Sequence, residues 1–426
     1  MYTSKSITLV GYGVSSQALC EHFMARGIYP TIRNQEKIEV PSDITLITEN
    51  YLRCTEDIIF RSPVIRPDRI QGQGYITSEV KYALEKTRGI KIGVSGSDGK
   101  TTTSTLIYEM LKKEGRHSTL CGNIGTPVVS LCDKSDDSTY TVCELSSFQL
   151  IDYSPTLSVA VLTGISENHL DWHIDMAEYV NAKKSIIKNA KLCVLNYEDA
   201  TLREMVPTHK PYTLFGAEPR DRACRGASHL VYIKDNAIFL DEDKVIDIGE
   251  IRLKGYFNLL NIQGAIGAVC EYVSLDAIRE VLCTFTGAEG RMEHLGIVQG
   301  VCVVASSIDT TPSRTIATLS AFDKARCVII LGGYDKGVSY APLKEALRGT
   351  RYAVVCGENG DKIENEIKGS VPFARASTLD EATKIAFGVA KCGDTVLFSP
   401  ASASFDQFGS YKERQNKFKE IIRGLK

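Results

Sequence analysis

Short apolar runs alternate along the chain with stretches whose apolar positions return at helical spacing. Ser6–Gly11 (SITLVG), Gly89–Ser95, Tyr140–Glu144, Ser158–Leu162 and Leu192–Asn196 each read as a buried strand, as do Val301–Ala305, Cys327–Gly332, Tyr352–Cys356 and Thr395–Ser399. Between them the pattern predicts helices, one around Ser16–Arg26 and another after Lys100. In the latter Leu106, Ile107, Met110 and Leu111 share one apolar face. Strands alternating with helices predict parallel α/β sheets. Val231–Leu240 (VYIKDNAIFL) departs from this pattern, because two apolar runs flank a polar Lys-Asp-Asn turn and predict a hairpin.

The chain has 426 residues, enough for two to four domains at roughly 100–200 residues each. No low-complexity linker divides it. Glycine-bearing joints at Thr87–Gly89 and Phe285–Gly290 are the natural breaks, giving three α/β units over residues 1–88, 89–287 and 288–426. The 50 Lys+Arg against 52 Asp+Glu leave a formal net charge of −2, which argues against a nucleic-acid coat or a polybasic membrane binder. Thirteen scattered cysteines without a CxxC pair read as reduced thiols of a cytoplasmic protein. The N-terminal MYTSKSITLVGYGVSS has too short an apolar run for a signal peptide or a membrane span.

The strongest chemical signal is Gly93–Thr103, GVSGSDGKTTT, which follows a strand and opens a helix. Glycines let backbone N–H groups and the helix N-terminus face an anion. Gly96, Ser97, Asp98 and Gly99 would form the cradle and Lys100 would neutralise phosphates. The Thr101 hydroxyl would reach Mg²⁺, and Thr102 follows in the same turn. Val94 stands where the strict GxxxxGK[ST] pattern has its first glycine. Gly11-Tyr-Gly13-Val-Ser15-Ser16 is a weaker turn of the same kind, a nucleotide or diphosphate pocket or a plain structural turn. Glu144 closes a strand and His169 lies in SENHLDWH, where either could hold a metal or serve as a structural polar group. Lys183, in YVNAKKSII, has nothing in its own chemistry to separate it from Lys184, and a helical lysine normally faces solvent. Near the C-terminus, Gly332-Gly-Tyr-Asp-Lys336-Gly and Ser399-Pro-Ala-Ser-Ala-Ser404-Phe-Asp-Gln-Phe follow strands. There Lys336 and Ser404 could hold a carboxylate or phosphate, or merely shape loops.

Taken together, GSDGKTT, GNIGTPV at Gly122–Val128, ELSSFQL, the His169 segment, the Lys183 helix, GGYDKG and SPASASFDQFGSYKER resemble the Mur ligase family of ATP-dependent amide ligases. The last motif resembles the branch that adds D-glutamate. The resemblance covers nearly the whole chain. It implies a Rossmann-like N-terminal domain that binds the UDP substrate, a central P-loop ATPase domain and a Rossmann-like C-terminal domain. It also implies amide formation between UDP-N-acetylmuramoyl-L-alanine and D-glutamate, with ATP and two Mg²⁺ ions. By the same resemblance Lys100, Glu144, His169 and Lys183 carry the chemistry, Lys183 as a carbamate. Thr101, Glu144, His169 and Lys183 hold metal. Asn258 and Arg291 join the phosphate loop at ATP. Ser15, Asn123, Ser146, Ser147, Lys336, Ser404 and Tyr411 contact the other substrates. A cytoplasmic monomer that binds neither nucleic acid nor membrane is expected.

The chain departs from the family pattern in places. Asp98 replaces the usual Asn of GTNGKT, and Phe257 replaces the His common before Asn258. Ala305–Pro312 stands where many members have NDSKATN, so the acidic ATP contact becomes Ser306 and the lysine becomes Ile308. Asp309 or Thr310 are candidates to compensate. Val64 replaces the Gly of SPGI, and Glu36 sits where an Arg often follows. Two other readings therefore stand beside D-glutamate addition. One is a sibling ligase using another amino acid or folate, and the other is a non-catalytic nucleotide-binding relative.

Overall fold

The computed structural model describes residues 5–216, 224, 226–288 and 290–425. Among these described residues twenty strands form three sheets. The first has the order β3-β2-β1-β4-β5 and is parallel throughout. It contains β1 (Ile7–Val10), β2 (Thr31–Arg33), β3 (Leu46–Ile47), β4 (Ile58–Arg61) and β5 (Tyr75–Thr77). The second has nine strands, ordered β14-β13-β12-β11-β10-β9-β6-β8-β7. They are β6 (Ile90–Ser95), β7 (Ser118–Gly122), β8 (Tyr140–Glu144), β9 (Thr156–Leu162), β10 (Asn189–Asn196), β11 (Tyr212–Gly216), β12 (His229–Lys234), β13 (Ala237–Leu240) and β14 (Asp243–Asp247). The third is β15-β16-β20-β17-β18-β19, built from β15 (Glu293–Val298), β16 (Val301–Ala305), β17 (Cys327–Leu331), β18 (Tyr352–Val355), β19 (Phe373–Arg375) and β20 (Thr395–Phe398).

The alternation read from the sequence is thus realised as α/β layers. The hairpin is there too. Strands β12 and β13 pair antiparallel across Asp235 and Asn236, whose φ values of 47° and 58° give the left-handed turn such a hairpin needs. Every buried strand named above forms, and each lies within 3 residues of its expected bounds. All thirteen cysteines are free, and only Cys392 is exposed. Among the described residues no helix is long and apolar enough to cross a membrane.

By packing, the chain divides into two compact units, Met1–Glu250 with Leu260–Cys283, and Ile251–Leu259 with Thr284–Lys426. Within the first unit the first and second sheets share one continuous core. Phe23, Phe60 and Tyr82 meet with ring centroids 5.4–5.7 Å apart and continue into Val128, Val129 and Leu131. In the second unit the third sheet is covered on both faces, by Leu343, Ile363 and Ile367 on one and by Ala382, Ala386 and Phe418 on the other. Parallel strands buried on both faces leave only their carboxyl-end loops free to carry chemistry.

One polar group is sealed into the shared core. Glu79 starts the helix Glu79–Lys86, is 6% exposed, and accepts the Val129 N–H on Oε1 at 2.6 Å, while its Oε2 has no partner. Burial pushes its carboxyl up to about 7 from 4.5. The native state therefore holds a proton that the unfolded chain releases, and stability is lost as pH rises from 4.5 through about 7. Glu79→Gln, which keeps the acceptor and cannot ionise, should stabilise the protein above pH 7 by about 3 kcal/mol. The difference should vanish below the unfolded pKa in urea-unfolding curves taken across that range.

Candidate active site

Strand β6 lies between β8 and β9, so the loops leaving all three open side by side. The loop after β6 is the phosphate motif. Gly96 has φ 149° and Gly99 has φ 82°. A Cβ on Gly96 would lie 1.9 Å from Thr163 Oγ1, and one on Gly99 would lie 2.1 Å from Asn261 Oδ1. Only glycine fits either place. Gly99 caps the helix Lys100–Lys113 without a side chain, leaving its first N–H groups without helical acceptors. Ser97 holds the loop from behind. Its hydroxyl donates to Ser166 O at 2.9 Å and accepts from Tyr179 OH at 2.7 Å. Asp98 is exposed, whereas Thr102 is buried beneath the turn.

Two lysines converge on one carbonyl of this loop. Lys100 Nζ donates to Gly96 O at 2.7 Å and to Ser97 O at 3.0 Å, and Lys183 Nζ donates to Gly96 O at 2.6 Å. Lys183 is 2% exposed, so the expectation of a solvent-facing helical lysine is overturned for it and holds for Lys184, which is exposed. The reason is position. Lys183 shares the buried stripe Tyr179, Ala182, Ile186 and Ile187 of the helix Met176–Lys188. Burial, and then repulsion from Lys100, hold its ammonium well below the usual lysine range, against the attraction of Asp98 and Glu144.

Beside the lysines, Glu144 at the end of β8 is 1% exposed. Its Oε2 accepts from Thr101 Oγ1 at 2.7 Å and its Oε1 from Asn123 Nδ2 at 2.8 Å. A threonine hydroxyl and a carboxylate meeting beside a phosphate loop form an oxygen donor set suited to Mg²⁺. Among the described residues no group of three His, Cys, Asp or Glu forms a metal cluster. Ser146 caps the helix Ser147–Leu150 in a reciprocal capping box with Gln149. Ser147 is buried, and its Oγ lies 3.0 Å from His173 Nε2. His169 is exposed with φ 56°, its ring 4.9 Å from that of Phe148. In the first sheet Gly11 (φ 82°) and Gly13 turn the chain into the helix Val14–Met24, which places Ser15 in its half-buried first turn.

The second unit gathers its loops after β16, β17 and β20. Arg414 is 3% exposed and donates to Ser307 Oγ and O, Ala403 O and Ser402 O at 2.8–3.0 Å. Asn359 joins Gly333 N–H, Tyr340 OH and Ser402 Oγ. These buried groups shape two loops, the one after β20 that carries Ser404, itself buried, and the one after β17 that carries Lys336, which is exposed. Tyr411 starts the last helix, its carbonyl accepting from Ser307 Oγ at 2.9 Å. Asp309 does not face outward to replace the missing acidic contact. It is buried and accepts from Ser399 Oγ at 2.7 Å and Thr318 Oγ1 at 2.8 Å. Burial raises its pKa against the hydroxyls of Ser306, Ser399 and Thr318 and the charge of Arg291. Asn258 is buried, with its amide on Lys254 O at 2.7 Å.

Comparison with known proteins now decides the family. The model of the Mur ligase middle domain matches residues 94–269, and that of the Mur ligase, glutamate ligase domain matches residues 290–402. The UDP-N-acetylmuramoylalanine--D-glutamate ligase of Clostridium tetani is 35% identical, over 99% of this chain and 97% of that protein. The chain belongs to the Mur ligase family. The enzyme of the same name from Clostridium botulinum (strain 657 / Type Ba4) is 34% identical over the same shares. Among solved structures, UDP-N-acetylmuramate-alanine ligase from Thermotoga maritima aligns with a TM-score of 0.65 at 19% identity, over 99% of this chain and all (100%) of that one. MurF ligase from Thermotoga maritima in complex with ADP aligns at 0.61 and 19%, over 99% of this chain and 96% of that one. These two establish the shared fold.

Lys100, Thr101, Asn123, Glu144 and Lys183 of this Mur ligase thus form one joined cluster with the loop 96–99. Sequence reasoning missed the roles of His173, Asn359 and Arg414. The signal for Arg414 was its place inside SYKER, one turn after Tyr411. Lys100→Ala should lower ATP-dependent phosphate release by about 10²–10³-fold, the usual effect of losing one donor on developing charge. Lys184→Ala should stay within about twofold of the parent.

Proposed function

We propose that this Mur ligase joins D-glutamate to UDP-N-acetylmuramoyl-L-alanine with cleavage of ATP to ADP and phosphate, in cytoplasmic peptidoglycan precursor synthesis. The observation that carries the reading is 35% identity along 99% of the chain with D-glutamate-adding enzymes, joined to the Lys100–Lys183–Glu144–Thr101 cluster. Residues 1–88 would take the UDP substrate, 89–287 the ATP, and 288–426 the amino acid and part of the ATP. The protein would act as a monomer, independent of nucleic acid and membrane.

The substrate carboxylate oxygen attacks the γ-phosphorus of ATP, the β–γ bridging bond breaks, and ADP leaves. The amine of D-glutamate then attacks the acyl carbon of the acyl phosphate and loses a proton, and phosphate departs as the amide forms. Lys100 offsets charge on the transferring phosphoryl group, and the N–H groups of Gly99–Thr102 hold the phosphates. Asn258 and Arg291 would complete the ATP site. Gly96, Ser97 and Asp98 would keep the loop open to it. Ser15 would contact the diphosphate and Asn123, Ser146 and Ser147 the muramoyl part, with Lys336, Ser404 and Tyr411 around D-glutamate. Thr101, Glu144, His169 and Lys183 would hold two Mg²⁺ ions, which supply charge neutralisation at the phosphates. Lys183 suits this role as a carbamate. A neutral buried amine adds CO₂, releases a proton and becomes an oxygen ligand.

A second reading, another amino acid as acceptor, is favoured by Ser306 and Ile308 at the altered segment. A phosphate-release assay with ATP, Mg²⁺ and UDP-N-acetylmuramoyl-L-alanine across a panel of D- and L-amino acids separates the two. Turnover should be strong with D-glutamate alone; turnover with a different amino acid only would overturn the substrate assignment. Lys183→Ala should be inactive and regain activity with short-chain carboxylates; full activity without them would remove the carbamate from the account.

A further inference from the structure

The turn His169–His173 is bolted down by residues to which, Ser147 apart, the proposed reaction assigns no part. His169 is a non-glycine residue in the left-handed region, φ 56°. That conformation persists only where the surroundings impose it. Its carbonyl accepts the N–H groups of both Trp172, at 3.1 Å, and His173, at 2.9 Å. Those two residues are in turn anchored by their side chains. Trp172 Nε1 donates to Val64 O at 2.7 Å, and the Arg66 guanidinium lies 5.1 Å over the Trp172 ring and donates to Trp172 O at 2.9 Å.

His173 is the hub. It is 3% exposed, with Nε2 3.0 Å from Ser147 Oγ and Nδ1 3.1 Å from Glu178 Oε2. Glu178 is clamped by Arg66 at 2.8 and 3.0 Å and accepts the Ile174 N–H at 2.9 Å. The ring therefore joins three segments. Ser147 follows the strand that ends in Glu144, Glu178 begins the helix that carries Lys183, and the turn itself carries His169. An acceptor-only carboxylate at Nδ1 fixes the proton there and leaves Nε2 to accept from Ser147.

We propose that His173 is a positioning residue, acting through His169 by holding its turn against Ser147 and Glu178, with Trp172 and Arg66 closing the same clamp. The inference rests on the role given to His169 above. His173 touches no reacting atom in this account. It sets where the His169 imidazole stands relative to Glu144 and Lys183.

The test is a double-mutant cycle on the full-length protein, scored by ATP-dependent phosphate release, with thermal unfolding followed alongside. His173→Gln keeps a group that can accept from Ser147 but loses Glu178. His173→Gln should lower kcat by about 10–100-fold, the usual effect of removing a partner behind a ligand. KM for ATP should stay within about twofold. In a His169→Ala background the same change should add almost nothing, because its effect passes through a side chain already gone. An additive loss would overturn the proposal and leave His173 as a structural residue. If His173→Gln fails to fold, Trp172→Phe, which removes only the bond to Val64 and keeps a ring beside Phe148, must show the same non-additivity, and additive behaviour there overturns it equally. Full activity of His169→Ala itself would instead refute the role given to His169.

Discussion

The Gly96 carbonyl is the point on which the site turns. It receives two lysine side chains, Lys100 at 2.7 Å and Lys183 at 2.6 Å, the second almost wholly buried. Two ammonium groups on one oxygen repel each other, and burial makes the inner one harder to keep charged. The arrangement has two ways to settle. The inner amine goes neutral, or an anion arrives to balance the charge. In the proposed reaction the outer lysine would serve the phosphoryl group and the inner one would take up CO₂. The glycine conformations at 96 and 99, the Tyr179–Ser97 bond behind the loop, and Glu144 beside it all serve to keep that carbonyl where both lysines can reach it.

The third sheet uses the same device with different groups. A buried Arg414 collects carbonyl and hydroxyl oxygens from the loops after β16 and β20, and burial pulls its pKa down to about 10. Asn359 ties the glycine turn after β17 to Ser402. Asp309 closes the set from below through Ser399 and Thr318. Interior charges without a direct counter-ion are costly. Here Arg414 and Asp309 are each matched by several neutral acceptors or donors, which fixes the shape of the loops. The altered segment Ala305–Pro312 is thus integrated into the fold, and its acidic residue is structural in position.

Much of this was legible in the sequence because it depends on local rules. The strand pattern, the Lys-Asp-Asn hairpin and the GSDGKTT loop follow from side-chain period, left-handed turn residues and glycine freedom, which act within a few residues. What could not be read depends on contacts between distant segments. His173 looks ordinary until Ser147, 26 positions away, and Arg66, which reaches it through Glu178, are placed around it. Lys183 lies between these cases. Its chemistry resembles that of Lys184, yet the spacing Tyr179, Ala182, Lys183, Ile186, Ile187 puts it on the apolar stripe. Nothing in its own chemistry separated the two lysines, and only the packing of this helix shows which one goes inside.

The central claim is that the buried member of the lysine pair is available for carbamate formation. The most direct measurement is ¹³C NMR of the full-length protein equilibrated with ¹³C-bicarbonate. The account predicts a carbamate carbonyl resonance that persists in Lys184→Arg and disappears in Lys183→Arg. A spectrum without that resonance, or one whose resonance survives Lys183→Arg, would contradict it.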